Sequence, residues 1–173
     1  MGNSEHFDAI VIGVGGVGSA VLRELSKRGQ RVLGIDRFQP PHSLGSSHGQ
    51  TRIIRPAYFE HPNYTPLLLD VYDLWRELSE LTGRQLYHEV GVLQIGPPQG
   101  DVVRGVKLSS DAHQLNVEEF SATEIARRWP VLRVPDHLVG VFEPRAGYLL
   151  VEQCVQAQLD AATSPTHPTA KRS

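Results

Sequence analysis

A glycine turn, GVGGVG at Gly13 to Gly18, sits between the apolar run Phe7 to Ile12 and a segment from Gly16 to Arg28 in which Val17, Ala20, Val21 and Leu25 recur at helical spacing. A short apolar run ending at glycine predicts a buried parallel strand, and the spacing after it predicts a helix. Gly29 stands where a C-cap glycine belongs, and Arg31 to Asp36 predicts a second strand, closing a β-α-β opening. Each glycine has a task in such a unit. Gly13 permits the tight turn, Gly15 lets the backbone approach a pyrophosphate, and Gly18 allows close contact between helix and strand. The helix N-terminus turns N–H groups and a positive dipole end toward the phosphates. Asp36 ends the second strand 23 residues past Gly13, where a carboxylate accepts hydrogen bonds from a ribose diol and repels a 2′-phosphate. NADP is disfavoured, while NAD and FAD both stay open, since both use this fingerprint.

Composition narrows the partners. With 173 residues, 40% of them hydrophobic, the chain can bury the core of one ordinary domain and hardly two. Lys and Arg number 17 against 19 Asp and Glu, and no basic run marks a nucleic-acid or membrane surface, so small soluble molecules are the expected partners. The single cysteine, Cys154, excludes an internal disulfide, and the histidines form no Cys/His cluster with metal-ligand spacing. No apolar run is long enough to span a bilayer, the N-terminus lacks signal-peptide character, and His6 stands where a myristoylation pattern after Met1-Gly2 wants Ser or Thr. A cytoplasmic protein without an anchor or a metal is expected.

Past Asp36 the chain reads as a loop, with Pro40, Pro41 and a Gly/Ser cluster from Ser43 to Gly49. His48, Arg52 and Arg55 follow closely. In any helical turn Arg52 and Arg55 share a face, and a guanidinium fork pairs naturally with a carboxylate. Taken alone, such arginines make surface salt bridges and a loop histidine is structural.

Together with these residues, FDAIVIGVGGVGSA and GIDRFQPPHSLGSSHGQTRIIRPAY resemble the N-terminal part of the monomeric sarcosine oxidase and N-methyltryptophan oxidase family of flavoproteins. Four further segments resemble that family in the same order: LWRELSELTG (Leu74 to Gly83), GVLQIGP (Gly91 to Pro97), RWP (Arg128 to Pro130) and FEPRAGYL (Phe142 to Leu149). The resemblance implies FAD rather than NAD. It also implies oxidation of the C–N bond of a secondary amino acid such as sarcosine, with O2 as acceptor, giving an imine and hydrogen peroxide. Carried over by position, Gly13, Gly15, Gly18 and Asp36 hold the ADP half of FAD, and Ser46, Ser47 and His48 belong to a loop near the flavin ring. Arg52 matches an arginine beside the isoalloxazine, which makes His48 and Arg52 the candidate catalytic groups. Arg55 matches the arginine that pairs with the substrate carboxylate. Two residues depart from the family pattern: Pro56, where relatives commonly carry a basic residue, and Leu22, where a small residue often sits in the first helix.

The expected fold is α/β: a Rossmann-like FAD-binding domain, incomplete, with the beginning of an α+β substrate domain. Residues 1–85 form the N-terminal part of the first, 86–145 begin the second, 146–162 return as a helix, and 163–173, with two prolines and no periodicity, read as a disordered tail. Within this frame a helix runs from Asn63 or Thr65 to Thr82 with Leu67, Leu68, Val71, Leu74, Trp75 and Leu78 as its stripe, and Tyr72 and Trp75 belong to the core. Ser121 and Glu124 form a capping box, Val139 to Phe142 and Tyr148 to Val151 frame a hairpin-like turn, and Cys154 is a buried thiol. The resemblance ends near Asp160, and relatives run to more than twice this length, so a missing C-terminal half or a second chain is an expected partner. An NAD-dependent dehydrogenase and a non-catalytic nucleotide-binding remnant or subunit are the alternatives.

Overall fold

A parallel strand pair bridged by a helix opens the chain in the computed structural model, which describes residues 5–163. The expected tail beyond Thr163 and the Met1-Gly2 terminus lie outside the described residues. Two compact units divide the described residues: 5–52, 75–86 and 149–163 belong to the first, and 53–74 with 87–148 to the second.

In the first unit, β1 (Ala9–Ile12) pairs in parallel with β2 (Val32–Ile35), Ala9 opposite Val32 and Ile12 opposite Ile35, with α1 (Gly16–Lys27) as the crossover. Helix α1 packs against α5 (Val151–Thr163). Its buried residues are Ser19, Leu22 and Arg23, whereas Val17 is 81% exposed, so the apolar set read from the spacing is not the covered face. Leu22 is accommodated by the strand: a Cβ on Gly34 would come 2.8 Å from its Cδ1, so the small residue expected on the helix is supplied opposite it. Leu78 and Leu86 join Cys154, Ala157 and Ala161 in a core cluster with Trp75 and Leu149 packed against it. Burial pushes the Cys154 thiol up to about 12, as a buried, unreactive thiol requires. Arg23, also buried, donates to Glu77 at 2.9 Å, and Lys27 reaches the same carboxylate oxygen at 2.7 Å. These two cations hold the Glu77 carboxyl below its usual range, the Lys27 hydrogen bond first.

The second unit is built on an antiparallel sheet in the order β5 (Val92–Gly96), β7 (Val139–Glu143), β6 (Glu118–Ser121), with Val92 opposite Glu143 and Glu118 opposite Phe142. Helix α3 (Asp101–His113) contributes Val103 and Val106 to a core with Ala57 and Val141. Helix α4 (Ala122–Arg128) starts at the expected capping box, in which Ser121 Oγ accepts the Glu124 N–H and the Glu124 carboxylate accepts the Ser121 N–H. At its far end the Arg128 guanidinium lies 4.9 Å from the ring centroids of Phe120, Trp129 and Phe142 and 2.6 Å from Glu118.

Strand β3 (Thr51–Ile54), helix α2 (Thr65–Thr82) and strand β8 (Gly147–Leu150) are continuous segments that pass from one unit into the other, and β4 (Tyr87–Glu89) belongs to the second. The buried line of α2 includes Thr65, Tyr72 and Leu78, while Leu67 and Leu74 are exposed. Strands β7 and β8 do not make the expected hairpin, because β7 is already flanked by β5 and β6. Strand β3 replaces the helical turn considered for Arg52 and Arg55. Arg52 lies within β3 and Arg55 just past its end, so the two arginines are not carried on a helical turn. No helix among the described residues is long and apolar enough to cross a membrane.

Candidate nucleotide-binding site

The glycine turn carries out its geometry within the first unit. Gly13 has φ +84°, which only glycine adopts without strain, and its N–H donates to Ile35 O at 2.8 Å, tying the turn to the end of β2. A Cβ on Gly18 would fall on the carbonyl of Gly13 and come within 3.3 Å of Val11 Cγ1, so α1 touches the backbone of the turn there. A Cβ on Gly13 or Gly15 would meet nothing within 4 Å. Both residues line a cleft of about 390 Å³. That open space beside bare backbone is the room a pyrophosphate needs. Gly15 is the N-cap of α1 and supplies no side-chain cap, and the first turn holds no acidic residue, leaving the positive helix end facing the cleft.

Asp36 lies at the end of β2 with its carboxylate turned inward. Oδ2 accepts the Val14 N–H at 2.6 Å, and Oδ1 accepts the Phe38 N–H at 3.2 Å. These bonds, Val14 first, hold its carboxyl below the ordinary range, so it is a permanent anion and acceptor. His42 stands 3.4 Å from Oδ1 through Nε2, while its Nδ1 accepts the Leu44 N–H at 3.2 Å. That second bond assigns the proton of the neutral ring to Nε2, facing Asp36. His42 was not singled out in the sequence, where only its place after Pro40 and Pro41 hinted at a fixed loop.

The loop after His42 closes the same cleft. Ser46 and Ser47 line it together with Gly13, Gly15, Gly18 and Asp36, and Ser47 Oγ accepts the Gly16 N–H at 3.1 Å. His48 and Arg52 are not among the lining residues. Arg52 instead turns back on its own loop, donating to the carbonyls of Thr51, Ser46 and His48, each at 2.9 Å. From the other side Glu152, in the first turn of α5, accepts the Gly49 N–H at 2.8 Å and the Gln50 N–H at 3.0 Å. Gly49 and Gln50 have φ of 96° and 64°, and this pair of left-handed residues aims two N–H groups at one carboxylate. The Gln50 bond is the first cause of a Glu152 carboxyl held below its usual range. A cation gathers the loop's carbonyls and an anion gathers its amides. Glu152 escaped the sequence reading, its one signal being an acid in the first turn of a helix. Glu152→Gln is expected to loosen this loop and weaken FAD binding on the order of fivefold, checked by titrating FAD into each protein.

In the second unit Arg55 follows β3 and presents a partly covered guanidinium. Its centre sits 4.6 Å from the Tyr58 ring centroid and 4.9 Å from that of Phe59, and one Nη reaches both oxygens of Glu60 at 3.2 Å. Its Nε is buried without a hydrogen-bond partner. A carboxylate is therefore already seated on this guanidinium.

The fold and the cleft define a dinucleotide-binding α/β unit. The chain belongs to the FAD dependent oxidoreductase family, whose model matches residues 8–165, so the dinucleotide is FAD and not NAD. It is 43% identical over 157 residues to N-methyl-L-tryptophan oxidases of Yersinia pestis (strain Pestoides F) and Yersinia pseudotuberculosis (serotype O:1b, strain IP 31758), covering 91% of this chain and 42% of each relative. The open form of NikD, an unusual amino acid oxidase essential for nikkomycin biosynthesis, matches with a TM-score of 0.79 and 29% identity over 92% of this chain and 41% of that one. L-proline dehydrogenase from P. horikoshii, at 22% identity and a TM-score of 0.72, shares the fold. The chain thus spans about 42% of the length of the curated relatives it matches.

Proposed function

We propose that this chain supplies the FAD-binding and substrate-anchoring portion of an oxidase acting on the C–N bond of a secondary, N-methylated amino acid such as sarcosine or N-methyl-L-tryptophan. The observation that carries the reading is the single cleft shared by Gly13, Gly15, Gly18, Asp36, Ser46 and Ser47, open at the two glycines where a Cβ would meet nothing. Gly13, Gly15, Gly18 and the N-terminus of α1 would hold the phosphates of FAD, and Asp36 would accept hydrogen bonds from a ribose diol. Ser46, Ser47 and His48 form the loop toward the flavin, and Arg52 keeps that loop in shape while adding positive charge near it. Arg55 takes the substrate carboxylate, displacing Glu60.

Bound FAD supplies the two-electron acceptor that side chains lack. Across the reaction the amine loses two electrons and two protons to become an imine, and O2 gains both to become hydrogen peroxide. The residues' share is to hold the amino acid by its carboxylate. A reducing compartment, the cytoplasm, suits a chain whose one cysteine is buried.

The chain completed with the C-terminal half of an N-methyl-L-tryptophan oxidase, loaded with FAD and given N-methyl-L-tryptophan and O2, is expected to release peroxide in step with substrate loss. Arg55→Met is expected to lower kcat/KM by roughly 100-fold, since a charge-assisted bidentate contact contributes about 2–3 kcal/mol. Peroxide release at background, or an Arg55→Met variant as efficient as the parent, would count against the reading.

A further inference from the structure

Among the described residues, the buried polar side chains of the second unit are Thr65, Ser109 and Glu143, each no more than 1% exposed. All three are spent on three consecutive residues. Thr65 Oγ1 donates to Pro56 O at 3.2 Å, the Ala57 N–H donates to Glu143 Oε2 at 2.7 Å, and Ser109 Oγ donates to Tyr58 O at 2.5 Å. The three side chains come from three elements, α2, β7 and α3. Glu143 is itself held, since its other oxygen accepts Gln94 Nε2 at 2.9 Å from β5. Below the segment Ala57 is fully buried among Val103, Val106 and Val141, and a Cβ on Gly105 would fall on the Phe59 carbonyl.

Burying a hydroxyl or a carboxylate is costly, and a turn left at the surface would satisfy its backbone with water at no such cost. This turn is inserted into the unit and bolted on both sides, directly after Arg55. Two of its residues, Tyr58 and Phe59, form the aromatic bed on which the Arg55 guanidinium rests. The bolts therefore fix the bed, and the bed fixes the guanidinium.

We propose that Thr65, Ser109 and Glu143 are positioning residues that fix the orientation of the Arg55 guanidinium by clamping the backbone of residues 56–58. This rests on the reading of Arg55 as the carboxylate anchor. A preset fork loses less freedom on meeting a carboxylate than a mobile one, so the clamp raises affinity without touching the ligand.

The test uses the full 15N-labelled chain and benzoate, a carboxylate with no oxidisable amine. In the parent, the Arg55 Nε–H resonance should be single and rigid, and should shift as benzoate binds. Thr65→Val with Ser109→Ala should lower the Arg55 Nε–H heteronuclear NOE and weaken benzoate about tenfold, with the other amide resonances in place. Glu143→Gln, which keeps an acceptor for the Ala57 N–H, should leave the Arg55 signal rigid. Ser110→Ala removes a neighbouring hydroxyl of α3 that bonds Leu115 O instead, and should change neither reading. A folded double variant with an unchanged Arg55 signal and unchanged benzoate affinity overturns the proposal. If benzoate leaves Arg55 unmoved in the parent while the double variant still frees the side chain, the clamp stands and the carboxylate reading of Arg55 falls.

Discussion

Gly18→Ala is expected to abolish FAD retention and to destabilise the first unit, whereas Gly15→Ala is expected to impair FAD binding alone. The two glycines lie three residues apart in the same turn, yet a methyl group meets different surroundings at each. At Gly18 it would fall on the carbonyl of Gly13, beside Val11. Neither neighbour can swing away, because one is backbone and the other is a strand residue of β1. Helix α1 would have to lift off the strand, or Gly13 would have to leave its left-handed conformation and its 2.8 Å bond to Ile35 O. Either adjustment lies at the upper end of overpacking penalties, about 3 kcal/mol. At Gly15 a Cβ meets nothing within 4 Å, so the free chain keeps its stability while the methyl takes up room in the cleft. Urea melts and the visible flavin spectrum after gel filtration separate the two outcomes. A colourless but normally stable Gly15→Ala beside a colourless, destabilised Gly18→Ala is the expected pair. Retention of flavin by Gly18→Ala with an unchanged melt would mean that the helix is not seated on the turn as described.

That contrast also shows where sequence reasoning reaches. The tasks assigned to Gly13 and Gly18 follow from the turn pattern alone, because φ freedom and close approach are local demands that only glycine meets. The capping box at Ser121 and Glu124 was legible for the same reason, its partners being three residues apart. Facing directions were not legible. Strand β1 is apolar on both sides, as a strand covered on both faces would be, but in this chain Ile10 and Ile12 are exposed. Helix α1 hides Ser19 and Arg23 while Val17 is bare, since what covers a helix is set by α5 and the end of α2, far away in sequence. Strand β3 is not legible in the sequence because it is short and carries an arginine, with no alternation long enough to mark it. Within the site, the residues missed are those that work at long range. Glu152 reads amides about a hundred positions earlier, and Glu143 reads Ala57 across a separation of 86. No local pattern announces such a partnership.

Between pH 4.5 and about 7 the chain is expected to lose stability as the pH rises, and Glu143→Gln is expected to remove most of that loss. Burial pushes the Glu143 carboxyl up from 4.5 to about 7, outweighing the Ala57 N–H, the charge of Arg55 and the Gln94 amide, which all favour the anion. Below pH 4.5 the group is protonated in both folded and unfolded chains, and its contribution is fully present. As the pH rises the unfolded chain releases the proton while the folded one still holds it, so the contribution falls until the folded group ionises near pH 7. The interval between the two values corresponds to roughly 3 kcal/mol, a large part of the stability of a chain this size. Asp36, Glu77, Glu124, Glu152 and Asp160 are shifted the opposite way and exert their effect at lower pH. Glutamine has no proton to release, and by turning the Gln94 amide it can accept the Ala57 N–H with one end and donate with the other. Urea melts of both proteins at pH 5, 6, 7 and 8 should therefore diverge, with the variant gaining on the parent up to about pH 7 and the difference levelling off by pH 8. Parallel curves would mean that the Glu143 carboxyl ionises near its ordinary value, and that water reaches the Ala57 turn.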